Sequence, residues 1–367
     1  MKKTRVRKNS KKKKVIIFIV LLLVVLGGVA AYIFPGYLKE EEKTVKKKKV
    51  KEPEPVVQIV DENSNSRPYA VMINNNSAVW SYQSGLNEAY MVYELLVEGG
   101  ITREMALFKD AETSKIASVR SSRHYFLDYA LENDAIYVHW GWSPQAQSDI
   151  RSLGINNING LTYEGSYFFR DNNVRAAYEH RGYTSMELLK KAVENIGYRS
   201  TTEEKVLLKY NAREVKLDDI EGVMGAETVS IRFSNGYTAN FIYDKENKVY
   251  LRNQNSTEMK DFTSGERITA KNIITYKASY SLIGGDNKGR LNMYNTGSGD
   301  GYYISNGKAI PIKWRKDSRS SKTVYTLLSG EELVVNDGNT YIEINPSGQS
   351  TTITAPEPES TESSAEA

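Results

Sequence analysis

Apolar and polar residues alternate in two different ways along this chain. Between residues 67 and 200 the runs are mixed in length and period. Tyr69–Ile73 is a short apolar run of the kind that forms a buried strand. Met91–Val97 and Ile101–Phe108 flank Gly99 and Gly100, which predicts a hairpin. Ser121–Glu132 carries apolar residues at helical spacing, with serine as a candidate cap. Ala135–His139 reads as the next strand, and Pro144–Leu153 and Thr184–Ile196 read as helices. Thr184 and Glu187 have the spacing of a capping box. From Thr228 to Ile344 the text is short runs of Val, Ile, Tyr and Thr, separated by Asn-Gly, Ser-Gly or Asp-Gly. Asn235-Gly236 and Asn306-Gly307 predict two-residue hairpin turns, and Pro311 predicts an edge or a bulge. The glycine-rich stretch Gly297–Gly301 reads as a flexible turn. The fold class expected is α+β, with a mixed α/β N-terminal domain at 67–200, a connector at 201–227 and a β-rich, mainly antiparallel domain at 228–346.

The N-terminus follows a third pattern. Val15–Phe34 is 20 uncharged and almost wholly apolar residues. A helix of that length spans about 30 Å, the thickness of a bilayer core. The basic tail 1–14 before it favours a cytoplasmic N-terminus and an exported body. An uncleaved single-pass anchor in the cell membrane is expected rather than a cleaved signal peptide, whose apolar core is shorter. Residues 35–66 read as a charged linker, and 347–367 as a disordered tail rich in Ser, Thr, Glu and Pro.

Composition narrows the chemistry. The 367 residues contain no cysteine. That excludes disulfides, thiolate catalysis, zinc–cysteine sites and lipid attachment to cysteine. The formal charge of +4 comes from the N-terminal arm, because residues 1–51 hold 16 Lys/Arg against three Glu. The rest is acidic, so no nucleic-acid partner is expected.

Residues able to do chemistry gather in the first domain. Glu98, Arg103, Arg120, Arg123, His139, Arg170, Asp171 and His180 all lie at predicted strand ends or helix starts. Two arginines three apart, Arg120 and Arg123, suit a phosphate, pyrophosphate or carboxylate. His139, followed by Trp140-Gly141-Trp142, reads either as a polar ligand contact above an aromatic platform or as a core histidine. His124, His139 and His180 are too dispersed for a metal site, and neither metal nor cofactor is expected.

Several of these segments are similar to the YerB-like family of bacterial envelope proteins. They are Arg67–Asn75, Tyr93-Glu94, Val97–Arg103, Val119–Arg123, His139–Gly141, Phe169–Asp171, His180–Thr184, Gly307–Trp314 and Asn336–Tyr341. The resemblance implies paired N- and C-terminal domains with no assigned reaction, mostly in lipoproteins of Gram-positive bacteria. This chain departs from that pattern in having an apolar span where a lipidated cysteine would stand. The leading expectation is a membrane-anchored extracytoplasmic protein that binds an anionic envelope ligand, such as a wall polymer or a phosphate-bearing group. Arg103, Arg120, Arg123 and Arg170 would contact the anion, His139 and His180 would donate, and Glu98 and Asp171 would orient the arginines. The alternatives are an enzyme acting on envelope phosphodiesters or glycans, and an interaction module that docks a protein through its β-rich domain.

Overall fold

The computed structural model describes residues 17–25 and 54–355. Residues 17–25 are helical, with exposed apolar side chains, and belong to a first unit, Met1–Glu54. No helix among the described residues is long and apolar enough to cross a membrane. Most of the predicted span, the basic tail 1–14 and the chain beyond 355 lie outside the described residues.

The second unit begins at Pro55 and is built on one large mixed sheet. Its strand order is Met224–Gly225, Lys308–Lys316, Gly297–Ser305, Asn272–Leu282, Thr340–Pro346, Met91–Leu96, Thr102–Phe108, Tyr69–Asn74, Ile136–His139 and Asn157–Asn159. The two halves that differ in sequence pattern therefore share a sheet. The seam is Thr340–Pro346, which runs parallel both to Met91–Leu96 and to Asn272–Leu282. Alternate residues face opposite sides, and both sides are covered. Ala70 and Met72 join a core with the helix Phe126–Glu132. Val71 and Ile73 join a second core with the helix Met186–Ile196 and a smaller sheet centred on Thr228–Arg232, Thr238–Asp244 and Val249–Gln254. The architecture is mixed α/β with a β-rich C-terminal half.

Most predicted elements form, with informative differences. The Met91/Phe108 hairpin pairs as expected. The first helix starts at Phe126, not Ser121, because Arg120–Arg123 is drawn into loop contacts with neighbouring strands. Ser185, not Thr184, caps the last helix by accepting from Leu188 N, and Thr184 instead donates to Tyr167 O. Gly297–Ser305 is a strand rather than a flexible turn, because it pairs residue by residue with Lys308–Lys316.

The turns differ from one another. Asn306 and Gly307 both have positive φ, 51° and 75°, and close a true two-residue turn. Asn235-Gly236 closes a longer loop, since pairing stops at Arg232 and Thr238. Pro311 is internal to the sheet. Its outward-facing nitrogen falls between the partners of Lys308–Ala309 and those of Ile312–Arg315, where no acceptor is lost. A Cβ at Gly307 would sit 2.7 Å from the Tyr243 ring. Gly307→Ala is therefore expected to destabilise by about 1–3 kcal/mol in thermal or urea unfolding.

Both predicted flexible ends are partly ordered. Val57, Ile59 and Val60 pack against the core, and the Gln58 and Ile59 amides donate to the Asp337 carboxylate at 2.8 and 2.9 Å. Thr351–Thr354 adds a strand to the smaller sheet beside Thr228–Ile231. Each segment carries apolar or β-branched residues that repay ordering, unlike the charged sequence around it.

Candidate functional site

Arginine side chains converge where the hairpin turn, the start of Thr102–Phe108 and the chain after Val119 meet. Arg120 is fixed by its backbone, which donates to Met72 O and accepts from Trp140 N. This places its side chain beside the Tyr69–Asn74 and Ile136–His139 strand ends. Its Nη1 donates to Glu179 O at 2.9 Å. Arg123 reaches back to the turn and grips Glu98 with both Nε, at 2.8 Å, and Nη2. Arg103 Nη2 lies 3.5 Å from the same carboxylate, and its Nη1 donates to Ser121 O at 2.7 Å. The Arg103 Nε is buried and has no partner.

The electrostatics follow from this crowding. Burial pushes the Glu98 carboxyl up, but the Arg123 hydrogen bonds and the Arg103 charge outweigh it and hold Glu98 at about 2. Burial, then the neighbouring Arg123, push Arg103 down to about 9, so it stays charged at neutral pH. Burial also lowers Arg120, against the opposing pull of Glu179. Arg103 and Arg123 thus share one carboxylate, and Arg120 has none of its own hydrogen-bonded to it.

Arg170 and His180 border the same charges. The Arg170 guanidinium stacks 3.7 Å from the Trp140 ring and 4.4 Å from Tyr178, and its Nε donates to Glu164 at 2.9 Å. Gly182 permits this arrangement, because a Cβ there would lie 2.6 Å from the Trp140 ring. His180 Nδ1 meets Asn74 Nδ2 at 2.8 Å. Burial and then the Arg120 charge lower its pKa.

Two predicted residues do not join this group. His139 is completely buried, with Nδ1 2.8 Å from Gly141 O and Nε2 3.1 Å from Asn157 Oδ1. Burial holds it below the ordinary histidine value. It is a core histidine between the Tyr137 and Trp142 rings, and the aromatic platform is already occupied, since Trp140 carries Arg170. Asp171 pairs with Lys115 rather than orienting an arginine. Lys115 in turn sits over the Tyr183 and Phe262 rings. Among the described residues, no three His, Asp or Glu side chains form a set able to hold a metal.

A second charged group was not anticipated. Glu94, Glu104 and Glu343 lie side by side on three adjacent strands and are fully buried. Arg252, from the smaller sheet, faces them, with Nη2 2.7 Å from Glu94 and 3.0 Å from Glu104. Gln83 donates to Glu104 at 2.7 Å, and Asn75 and Thr102 donate to Glu94. Among the described residues, no N–H or O–H donor reaches Glu343. Burial, then the adjacent Glu94, push its pKa far up. Burial also raises Glu104, to about 7. The signal in the sequence was an acidic residue inside each of three apolar strands, which only pairing register brings together.

The geometry describes a body built on one large and one smaller sheet, with a half-buried cationic cluster at one strand end. Comparison with known proteins gives the family. Residues 56–199 match the model described as "Protein of unknown function (DUF3048) N-terminal domain", and 229–342 match that of its C-terminal domain. The chain is 30% identical over 302 residues to "Putative lipoprotein YerB" of Bacillus subtilis (strain 168), covering 82% of this chain and 87% of that protein. The crystal structure of the YerB protein from Bacillus subtilis superposes with a TM-score of 0.69 at 30% identity, covering 81% of this chain and 98% of that one. The chain belongs to this YerB-like family.

Proposed function

We propose that this protein is held in the cell membrane by Val15–Phe34, carries its body outside the cytoplasm, and binds a phosphate-bearing envelope ligand through Arg103, Arg120, Arg123, Arg170 and His180. The apolar run behind a basic tail supports the anchor. The observation that carries the binding reading is the charge imbalance. Arg103, Arg120 and Arg123 are packed together, with Glu98 the carboxylate hydrogen-bonded among them and Glu179 acting on Arg120 only through its charge. Packing like charges is unfavourable, and an incoming anion relieves it. Planar guanidinium forks suit phosphate oxygens.

Arg120 is the residue to test, because its side chain gives up one bond, to the Glu179 carbonyl, and the attraction of the Glu179 charge. Arg120→Ala is expected to fold normally and to weaken binding of inorganic pyrophosphate about tenfold or more, one charge-assisted contact being worth about 1.5–3 kcal/mol. Wild-type binding is expected to fall as salt rises. Unchanged binding in a correctly folded Arg120→Ala protein overturns the reading. The anchor is tested separately, by asking whether the full chain resists alkaline extraction from membranes and loses that resistance when residues 15–34 are deleted.

A further inference from the structure

We infer that Glu98 is a built-in competitor for the anion site, and that it restricts the site to polyvalent phosphates. This rests on the anion-binding reading and goes beyond it. The Glu98 carboxylate occupies the place an incoming anion would take. It is held side-on by Nε and Nη2 of Arg123 and flanked by Arg103, with Arg120 beside them. The residue reaches in from a three-residue turn, Glu98–Gly100, whose two glycines both have positive φ, 75° and 71°. Its side chain is 21% exposed, while those of Arg103 and Arg123 are 5% and 8% exposed. Glu98 is thus more solvent-facing than the two arginines that hold it, able to leave while they stay.

A tethered competitor acts at an effective concentration on the order of millimolar or more. An anion with one charge and two oxygens, such as acetate, offers the arginines nothing that Glu98 does not already offer. It cannot displace a group that is always present. Pyrophosphate carries more charge and more acceptor oxygens. It can take the Arg123 fork and Arg103 from Glu98 and also reach Arg120, whose side-chain hydrogen bond among the described residues goes to a carbonyl. Glu98 therefore sets a threshold that a polyvalent phosphate passes and a simple carboxylate does not. The turn is fastened to the second half of the chain by Ser234, whose Oγ donates to Gly100 O at 2.6 Å. That bond keeps Glu98 in place.

The role is the reverse of an orienting one, and the two predict opposite results. Binding of acetate, orthophosphate, inorganic pyrophosphate and poly(glycerol phosphate) to the full chain in detergent is measured by calorimetry for wild type, Glu98→Gln and Arg120→Ala. Glu98→Gln is expected to bind pyrophosphate about tenfold more tightly and to begin binding orthophosphate and acetate. The larger gain identifies the source, pyrophosphate standing for a free or lipid-linked diphosphate and poly(glycerol phosphate) for a wall polymer. Weaker or unchanged binding in Glu98→Gln, with wild-type binding still lost in Arg120→Ala, overturns the competitor role and leaves the anion site standing. No binding of any probe by either wild type or Glu98→Gln overturns the anion site itself. Should Glu98→Gln not fold, Ser234→Ala releases the turn without touching Glu98 or an arginine. It is expected to tighten pyrophosphate binding several-fold, and unchanged or weaker binding there overturns the competitor role.

Discussion

Arg252→Met is expected to lower the unfolding free energy by about 3–5 kcal/mol at neutral pH, the range found when one partner of a buried ion pair is removed. Arg252 is the cation facing Glu94, Glu104 and Glu343, and all four side chains are fully buried. Burial opposes its charge, but Glu104 and Glu94 outweigh this and hold the guanidinium charged. Without it, the carboxyls must either stay ionised in a low-dielectric interior or take up protons. The loss should therefore grow with pH. In the wild-type protein Glu104 titrates at about 7 against an ordinary 4.5. A carboxyl raised in this way contributes stability that is fully present below 4.5 and is lost as pH rises through 7. Removing Arg252 raises it further and extends that loss to higher pH. Urea unfolding of the variant at pH 5 and pH 8 checks this. A loss under 1 kcal/mol at pH 8, or one equal at both pH values, contradicts the account. Glu343→Gln is the companion measurement. Its amide needs no proton and can donate to Glu94, so stability should be unchanged or higher.

Lys316→Met is expected to cost a similar amount, about 3–5 kcal/mol, at the opposite face of the sheet. Lys316 and Glu132 form a fully buried pair at 2.7 Å. Glu132 also accepts from Thr323 N at 2.9 Å and from Tyr93 OH at 2.7 Å. This carboxylate ties the end of the helix Phe126–Glu132 to the loop after Lys316. The same loop sends Arg319 to Asp128 and Asp149, each at 2.7 Å. Losing Lys316 strands a buried carboxylate and should free the loop. Limited proteolysis should then cut within 317–322 before the rest of the body. Replacing both members, as Glu132→Gln with Lys316→Met, should recover part of the loss, because no unpaired charge remains. If the single and double variants are equally unstable, the ion pair is not the cause.

Much of the candidate site was legible beforehand. Arg103, Arg120, Arg123, Arg170 and His180 sit at element ends, where chain reversals bring loops together, and the structure gathers them. His139, which the sequence left open between ligand contact and core, and Asp171 stand apart from the cluster for one reason. A sequence displays the residue but not its partner, and Gly141, Asn157 and Lys115 satisfy these two side chains locally. Trp140 shows the same limit, since only the fold reveals that Arg170 already covers its ring. Glu98 was anticipated as an arginine partner. That it occupies the anion's own position emerged only from the Arg123 fork.

The sequence by itself determined most of the secondary elements, the β-rich character of the C-terminal half and the absence of cysteine chemistry, while its motifs carried the resemblance to the family. The first three rest on spacing along the chain or on composition, which need no partner to be read. Tertiary structure alone decided that Thr340–Pro346 joins both halves in one sheet, and that three glutamates distant in sequence stand in register before one arginine. Strand register and burial arise from pairing between segments hundreds of residues apart. The free energy of a charge depends on what surrounds it once that pairing is made, so no local pattern encodes it.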